Sequence, residues 1–402
     1  MITRRFLLQS AAAAVAYSAQ RFRAARAENA PGVTDTEIKI GQTMPYSGPV
    51  SSFGVIGRTE LAYFKMINEQ GGVNGRKINL ISIDDGYSPP KTVEQTRRLV
   101  EHEQVAFIFG TVGTAPNTAI STYLNENKIP QLFIASGVSK FADPQRLPWT
   151  ITFDPNRRSE GRLFAEHIVR TMPNAKIGVL YQNDDLGRDY LAGVREGLGA
   201  DHASMLAKVA SYELSDPTVD SQIITLQGAG VDSLIIAATP KAAAQAIRKI
   251  YDLGWAPERY LATIAQSITT VLKPAGIEKS MGAITNLWGK DPKDPRWKDD
   301  PGCKEWAAFV SRYMTPADRD LDTAYGYQVA MLMTYVLKRC GDDLSRGNTM
   351  RQATNIKEYV GPFALPGAKI NTSPDDYRVN RQFRLARFNG EHWEPFGDVM
   401  TD

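Results

Sequence analysis

Residues 109–121 read FGTVGTAPNTAIS, glycines and threonines set between the apolar run 105–108 and a helix-like stretch ending near Leu124. A buried strand, a glycine-bearing turn and a helix N-terminus present unpaired, positively polarised amides, the geometry that holds anions. Thr114 adds a hydroxyl at the head of that helix, and Pro116 suits a first turn in which its missing N–H is not needed. One strand later, IASGVSK brings Ser136 and Ser139 to a second strand end, beside the backbone of Ala135. Ligands of open α/β sheets lie beyond the carboxyl ends of the strands. The hydroxyls and amides therefore make a candidate carboxylate grip, in which each charge-assisted hydrogen bond contributes roughly 1.5 to 3 kcal/mol. The plainer reading makes Thr114 a helix cap and nothing more.

Other chemistries find little footing. A nucleotide phosphate loop needs G-x-x-x-x-G-K-[ST], and residues 110–118 contain no lysine. Gly110 and Gly113 stand three apart, so the GxGxxG fingerprint is absent there, and no GxSxG, HExxH or kinase motif occurs. The acidic pairs Asp84-Asp85 and Asp184-Asp185 each end a strand, where loop capping is favoured over acid–base catalysis. Four scattered histidines and no CxxC spacing speak against a metal site, and no cofactor is called for. Cys303 starts one helical pattern and Cys340 ends the next, so the pair reads either as a disulfide between antiparallel helices or as two inert thiols.

The elements that must position these residues alternate. EIKIGQTM, KINLISIDD, VAFIFG and PQLFIAS read as strands, with helical patterns between them. After the Pro-punctuated PWTITFDPNRRSEGRLF the alternation restarts with KIGVLYQ and runs through DSLIIAAT and RYLATIA, the last followed by a helix at 267–275. Such βαβ alternation predicts doubly wound parallel sheets, and its restart predicts two lobes. GKDPKDPRWKDDPG, residues 289–302, breaks the pattern, and helical patterns at 303–315 and 321–340 follow. The tail closes on a hairpin-like segment with Asn389-Gly390 as its turn signal. With no sheet of its own, the tail is expected to complete the two lobes by crossing back.

The N-terminus reads as an export signal. Arg4-Arg5 precede an apolar stretch from Phe6 to Ala19, too short to span a membrane, and Ala25-Arg26-Ala27 is a small-x-small cleavage site. Paired arginines of this kind mark twin-arginine export. Removing residues 1–27, with five arginines and no acid, takes the formal charge from +3 to −2. No nucleic-acid footprint then remains, because the other basic residues are interspersed with acids.

Several stretches, in order, resemble the periplasmic leucine/isoleucine/valine-binding protein family, the type I solute-binding subunits of ATP-driven importers. They are IKIGQTMPYSGPVSSFG, MINEQGGVNGRKINLISIDDGYSPPKTVEQTRRLV, FGTVGTAPNTA, IPQLFIASG, KIGVLYQNDDLGRDYLAGVREGL and DTAYGYQVAMLM. The resemblance implies an α/β fold of two doubly wound lobes joined by a three-crossover hinge. It places lobe one at 35–154 plus 288–362 and lobe two at 155–287 plus 363–402, with 1–27 the signal peptide. It implies no enzyme, but a monomeric periplasmic protein that closes on a small solute and delivers it to the permease and ATPase subunits of an ABC importer. A ligand sensor of the same fold, and less readily an exported α/β enzyme, are the alternatives.

Carried over residue by residue, the family's carboxylate-binding serine falls on Thr114. The second polar loop, a backbone carbonyl and hydroxyls that face an ammonium, falls on Ala135, Ser136 and Ser139, and the covering aromatic on Phe53. Two aromatics expected to line the cleft are replaced, by Leu186 and by Thr239. The glutamate that amino-acid binders place after RYLAT is missing, since residues 260–277 contain no acid. A buried ammonium without a carboxylate partner is heavily penalised. Either Asp322 substitutes, or the ligand is a carboxylate with an uncharged, apolar or aromatic body; the second is favoured, with a branched-chain amino acid the alternative.

Overall fold

The computed structural model describes residues 29–315 and 319–402; the export signal expected at 1–27 lies outside the described residues. Five strands form the first sheet: β1 (Glu37–Met44), β2 (Lys77–Asp84), β3 (Ile108–Phe109), β4 (Gln131–Ile134) and β5 (Thr150–Thr152), in the order β2-β1-β3-β4-β5. All its pairings are parallel. The near-continuous burial of β1, β3 and β4 follows, because helices cover both faces of such a sheet. They include α1 (Gly54–Glu69), α2 (Pro89–Arg97) and α3 (Thr114–Glu126).

The second sheet has eight strands. Its parallel part is β7 (Leu206–Tyr212), β6 (Ile177–Gln182), β8 (Ser233–Ala237), β9 (Glu258–Leu261) and β10 (Ile284–Leu287). The helices α4 (Arg157–Thr171), α5 (Asp185–Leu198), α6 (Asp220–Gly228) and α7 (Pro240–Asp252) serve this layer. Then β11 (Gln382–Phe388) joins β10 antiparallel, and β12 (Trp393–Pro395) and β13 (Met400–Thr401) pair with β11. The Asn389-Gly390 signal does sit in a hairpin turn, although the loop spans four residues, from the pair Phe388–Trp393. Trp393 is fully buried against Phe388 and donates its indole N–H to the Gln266 carbonyl at 2.9 Å. Cutting it to alanine should cost about 3 to 5 kcal/mol.

The chain passes between the layers three times: from β5 to α4, from β10 to α8 (Pro301–Tyr313), and from α10 (Arg346–Ala353) to β11. The tail helices α8, α9 (Leu321–Cys340) and α10 bury their apolar faces in one core with α1 and the first sheet. Helix α9 is started by a capping box, Asp320 with Thr323, and stopped at Gly341, whose φ is 60°. At the first passage Gly137 must be glycine, since a Cβ there would lie 1.9 Å from the Pro155 carbonyl oxygen.

One expectation needs correction, and one open choice is decided. Residues 267–275 do not form one helix. Ser267 caps a wide turn over Ile268–Leu272, and Pro274 and Gly276 limit the next residues to single turns. Of the two readings of the cysteine pair the inert thiols hold: Cys303 and Cys340 are free and buried. Each packs in the first core with a polar neighbour of its own, Cys303 next to the capping carboxylate of Asp300 and Cys340 3.9 Å from the Thr349 hydroxyl.

Candidate functional site

The strand ends of both sheets face a cavity of about 980 Å³, open in part to solvent. Phe53, Thr114, Ala135, Ser136, Leu186, Thr239 and Asp322 all line it. Ser139 does not. Its N–H and hydroxyl donate to the Asp189 carboxylate on α5 at 2.9 and 3.0 Å, tying the two layers together beside the cavity.

Thr114 is the first residue of α3, after Gly113 at φ 105°. A Cβ on Gly113 would lie 2.2 Å from the ring of Tyr87, so this turn requires glycine. The hydroxyls of Thr114 and Ser136, both buried, stand 2.8 Å apart. Thr114 does not act as the cap, a place taken by Gly113, so its side chain is available to the cavity. Tyr87 comes from the loop after β2 with φ 59°. Its phenol is raised by burial and by Asp184, against hydrogen bonding to the Thr114 amide and Gln182. The Ala135 carbonyl, expected to face a ligand, accepts the Gly113 N–H at 3.0 Å. Thr239 heads α7, and its hydroxyl and amide both meet the Tyr212 hydroxyl, at 3.0 and 2.9 Å.

Much of the floor escaped sequence reasoning. Arg157, at the first passage, is almost fully buried and pairs with Asp154; it also donates to Thr263 at 2.6 Å and reaches Glu160 at 3.4 Å. Tyr325 closes the set by donating to Asp154 at 2.6 Å, and the Thr263 N–H donates to Glu160 at 2.6 Å. Burial raises both carboxyls, opposed chiefly by Arg157. Burial alone would push the guanidinium down; Tyr190, Asp154 and Glu160 reverse that and hold it protonated. The cavity's other cation, Lys290, is paired with Asp300. Both cations in the lining are thus matched by acids, with only the Arg157 Nε left without a hydrogen-bond partner, whereas the neutral donors at Thr114 and Ser136 face no acid. The only local sign of this floor was the cluster of polar residues directly after β5, in FDPNRRSEGR.

On the far wall Asp322 is half-buried, and its Oδ2 is shielded from solvent without a hydrogen-bond partner. Burial, and then Asp320, push this carboxyl up to about 8. Asp320 itself bonds Ser267 across the layers and takes a salt bridge from Lys293 at 3.4 Å. Ile56, Val112, Ile264, Leu287, Trp288 and Phe363 add apolar lining, and Gln266 and Gln328 add two neutral amides, of which the Gln266 Oε1 is buried without a hydrogen-bond partner. The aspartate pairs behave as loop caps. Asp84 accepts the Ser47 and Gly86 amides at 3.0 Å, and Asp184 caps α5 through the Leu186 and Gly187 amides.

Residues 37–392 match the model of the family described as periplasmic binding protein. The chain belongs to that family. Within it the resemblance to the leucine/isoleucine/valine-binding proteins holds. A Leu/Ile/Val-binding protein homolog 1 of Brucella abortus is 23% identical over 81% of this chain and 84% of its own. Among solved structures, a branched-chain amino acid ABC transporter protein of Thermus thermophilus with bound valine superposes with a TM-score of 0.82. It is 16% identical and covers 92% of this chain and 98% of its own. A solute-binding protein of Rhodopseudomonas palustris in complex with 3,4-dihydroxybenzoic acid gives 0.75 at 18% identity, over 92% of this chain and 98% of its own. This periplasmic binding protein therefore has the type I fold of ABC-transporter substrate-binding proteins, a family of solute binders rather than enzymes. No helix among its described residues is long and apolar enough to cross a membrane.

Proposed function

We propose that this chain is the substrate-binding subunit of an ABC importer. It takes a small carboxylate with an apolar or aromatic body into the cavity between its layers and presents it to a membrane permease and its ATPase. The observation that carries the reading is the pair of buried hydroxyls of Thr114 and Ser136, 2.8 Å apart at the head of α3, in a cavity whose cations are both already paired. The apolar side chains of the lining, with both cations paired, favour an uncharged body.

The proposed lobes are residues 35–154 with 288–362 and 155–287 with 363–402. Supporting the division, the first sheet and α8–α10 fall in the first set, and every strand of the second sheet in the second. The mature protein is proposed to be periplasmic and monomeric, starting at Glu28. N-terminal sequencing of protein recovered from a periplasmic extract checks the start, and a start at Met1 would refute export with cleavage.

Asp322 supports a second reading, an amino acid whose ammonium meets the unpartnered Oδ2. A thermal-shift panel of leucine, valine, and aromatic, fatty and hydroxy acids separates the two. A ligand at a hundredfold excess over Kd adds about 2.7 kcal/mol of stability. Stabilisation by the amino acids alone would refute the apolar-acid reading in favour of the second.

A further inference from the structure

A second cavity of about 910 Å³ lies behind the first, between the last passage and the start of β11. Tyr359, Ile370 and Val379 give it apolar walls, and Asn371 and Arg381 line it too. Trp288, Gln328 and Phe363 line both cavities and so form the wall between them. Phe363 is fixed: it is buried, its carbonyl accepts the Lys290 N–H at 2.7 Å, and its ring meets Trp306 edge-on at 6.0 Å.

The other two are held less firmly. Both are half-buried, and neither the Trp288 indole N–H nor the Gln328 amide has a hydrogen-bond partner among the described residues. Trp288 meets Phe153 and Tyr325 edge-on, at 5.6 and 6.0 Å. Rotating either side chain breaks no hydrogen bond, and Trp288 gives up only its edge-on ring contacts.

We propose that Trp288 and Gln328 form a gate, and that the second cavity is a distal subsite for the tail of an extended carboxylic acid whose head lies at Thr114. This rests on the acid-binding reading above. A short acid fills the first cavity alone; a longer one turns Trp288 aside and lays its tail against Tyr359, Ile370 and Val379. The free Gln328 amide stands at the passage, where it can bond a carbonyl or hydroxyl partway along the chain. At the far end Arg381 gives its terminal nitrogens to Asp376 at 2.8 Å and the Asp402 carbonyl at 3.1 Å, while its buried Nε keeps no hydrogen-bond partner.

Isothermal titration with straight-chain carboxylates from butanoate to dodecanoate tests this. Wild-type affinity should rise about fourfold for each methylene that enters apolar space, on through the longer members. Ala364→Trp and Ala368→Phe, at half-buried positions, fill the second cavity. Each should weaken the longest acids at least tenfold and change the shortest binders less than twofold. The same length dependence in wild type and folded variants overturns the distal subsite while the acid-binding reading stands. No binding of any acid by wild type overturns both. Should neither variant fold, Trp288→Ala decides: it must favour long acids over short ones more than wild type does, and no such shift overturns the gate.

Discussion

Replacing Thr114 by valine removes one oxygen and leaves the shape of the side chain. In the folded chain that oxygen meets the Ser136 hydroxyl at 2.8 Å, both groups being buried. The variant therefore loses one neutral hydrogen bond, worth about 0.5 to 1.5 kcal/mol, partly offset by the greater ease of burying a methyl group. Because the branched side chain is retained at the first residue of α3, the packing there is unchanged, and Tm should fall by no more than a few degrees. The ligand loses more. A hydrogen bond from a hydroxyl to a carboxylate contributes roughly 1.5 to 3 kcal/mol, so Kd should rise by about 10- to 150-fold. Titration calorimetry with the best ligand of the panel reads this directly, and Thr114→Ser, which keeps the hydroxyl, should recover most of the affinity. A Kd within about twofold of wild type in a folded Thr114→Val protein would refute the argument. It would mean that the backbone amides alone hold the anion, or that the anion lies elsewhere.

Other consequences are as concrete. The thiols of Cys303 and Cys340 are pushed by burial up to about 12 and about 11, so the native protein should resist alkylation at pH 8. Denatured protein should then release two titratable thiols without reductant, whereas none would indicate a bridge. Asp189→Ala removes the acceptor that holds the Ser139 N–H and hydroxyl across the layers. Ligand release in stopped flow should speed about tenfold or more, and an unchanged rate would show the contact to be incidental to closure. Lys140→Ala breaks the partly exposed bridge to Asp185 and should matter less, with an effect that fades at high salt. Asp322 titrates at about 8 in the folded chain, so it binds its proton more tightly there than when unfolded. Its contribution is full below about pH 4 and falls as pH rises to 8. Measured against Asp322→Asn, wild-type stability should drop by at most about 1.4 kcal/mol per pH unit across that window. Parallel pH profiles for the two proteins would refute the shift.

The fold was legible wherever local pattern and tertiary role agree. Strands buried on both faces leave short apolar runs, and α9 carries its own start and stop in Asp320, Thr323 and Gly341, so its bounds of 321–340 are readable directly. The stretch 267–275 was misread because its apolar residues do face a core, at Ile268, Val271 and Leu272, while Pro274 and Gly276 limit it to single turns. Periodicity reports a buried face and says little about how many turns carry it. The cysteines left two readings open for a related reason. Helix order brings the end of one helix near the start of the next, but a bridge needs the two side chains to meet, and here each thiol is turned to a neighbour of its own.

In the site, the legible part is the one made by a single strand–turn–helix. Gly113, Thr114 and the amides of α3 are contiguous, so their chemistry can be read from spacing. Arg157 is the opposite case. A buried arginine at a strand end would by itself be the natural holder of a carboxylate, and a reader of sequence who noticed it would place the anion there. Asp154, Glu160 and Thr263 occupy or neutralise that guanidinium and Tyr325 holds Asp154, and two of these four lie more than a hundred residues further along the chain. The pairing is what makes the weaker, uncharged grip at Thr114 the better site. An incoming carboxylate at Arg157 would have to compete with two buried carboxylates for one cation, whereas at Thr114 it meets hydroxyls and amides that face no acid. Removing the competitor should therefore move the anion. In Asp154→Asn the Arg157 side chain gains a share of the ligand, and Thr114→Val in that background should weaken binding less than it does in wild type. Additive losses in the double variant would show that Arg157 stays committed to the hinge.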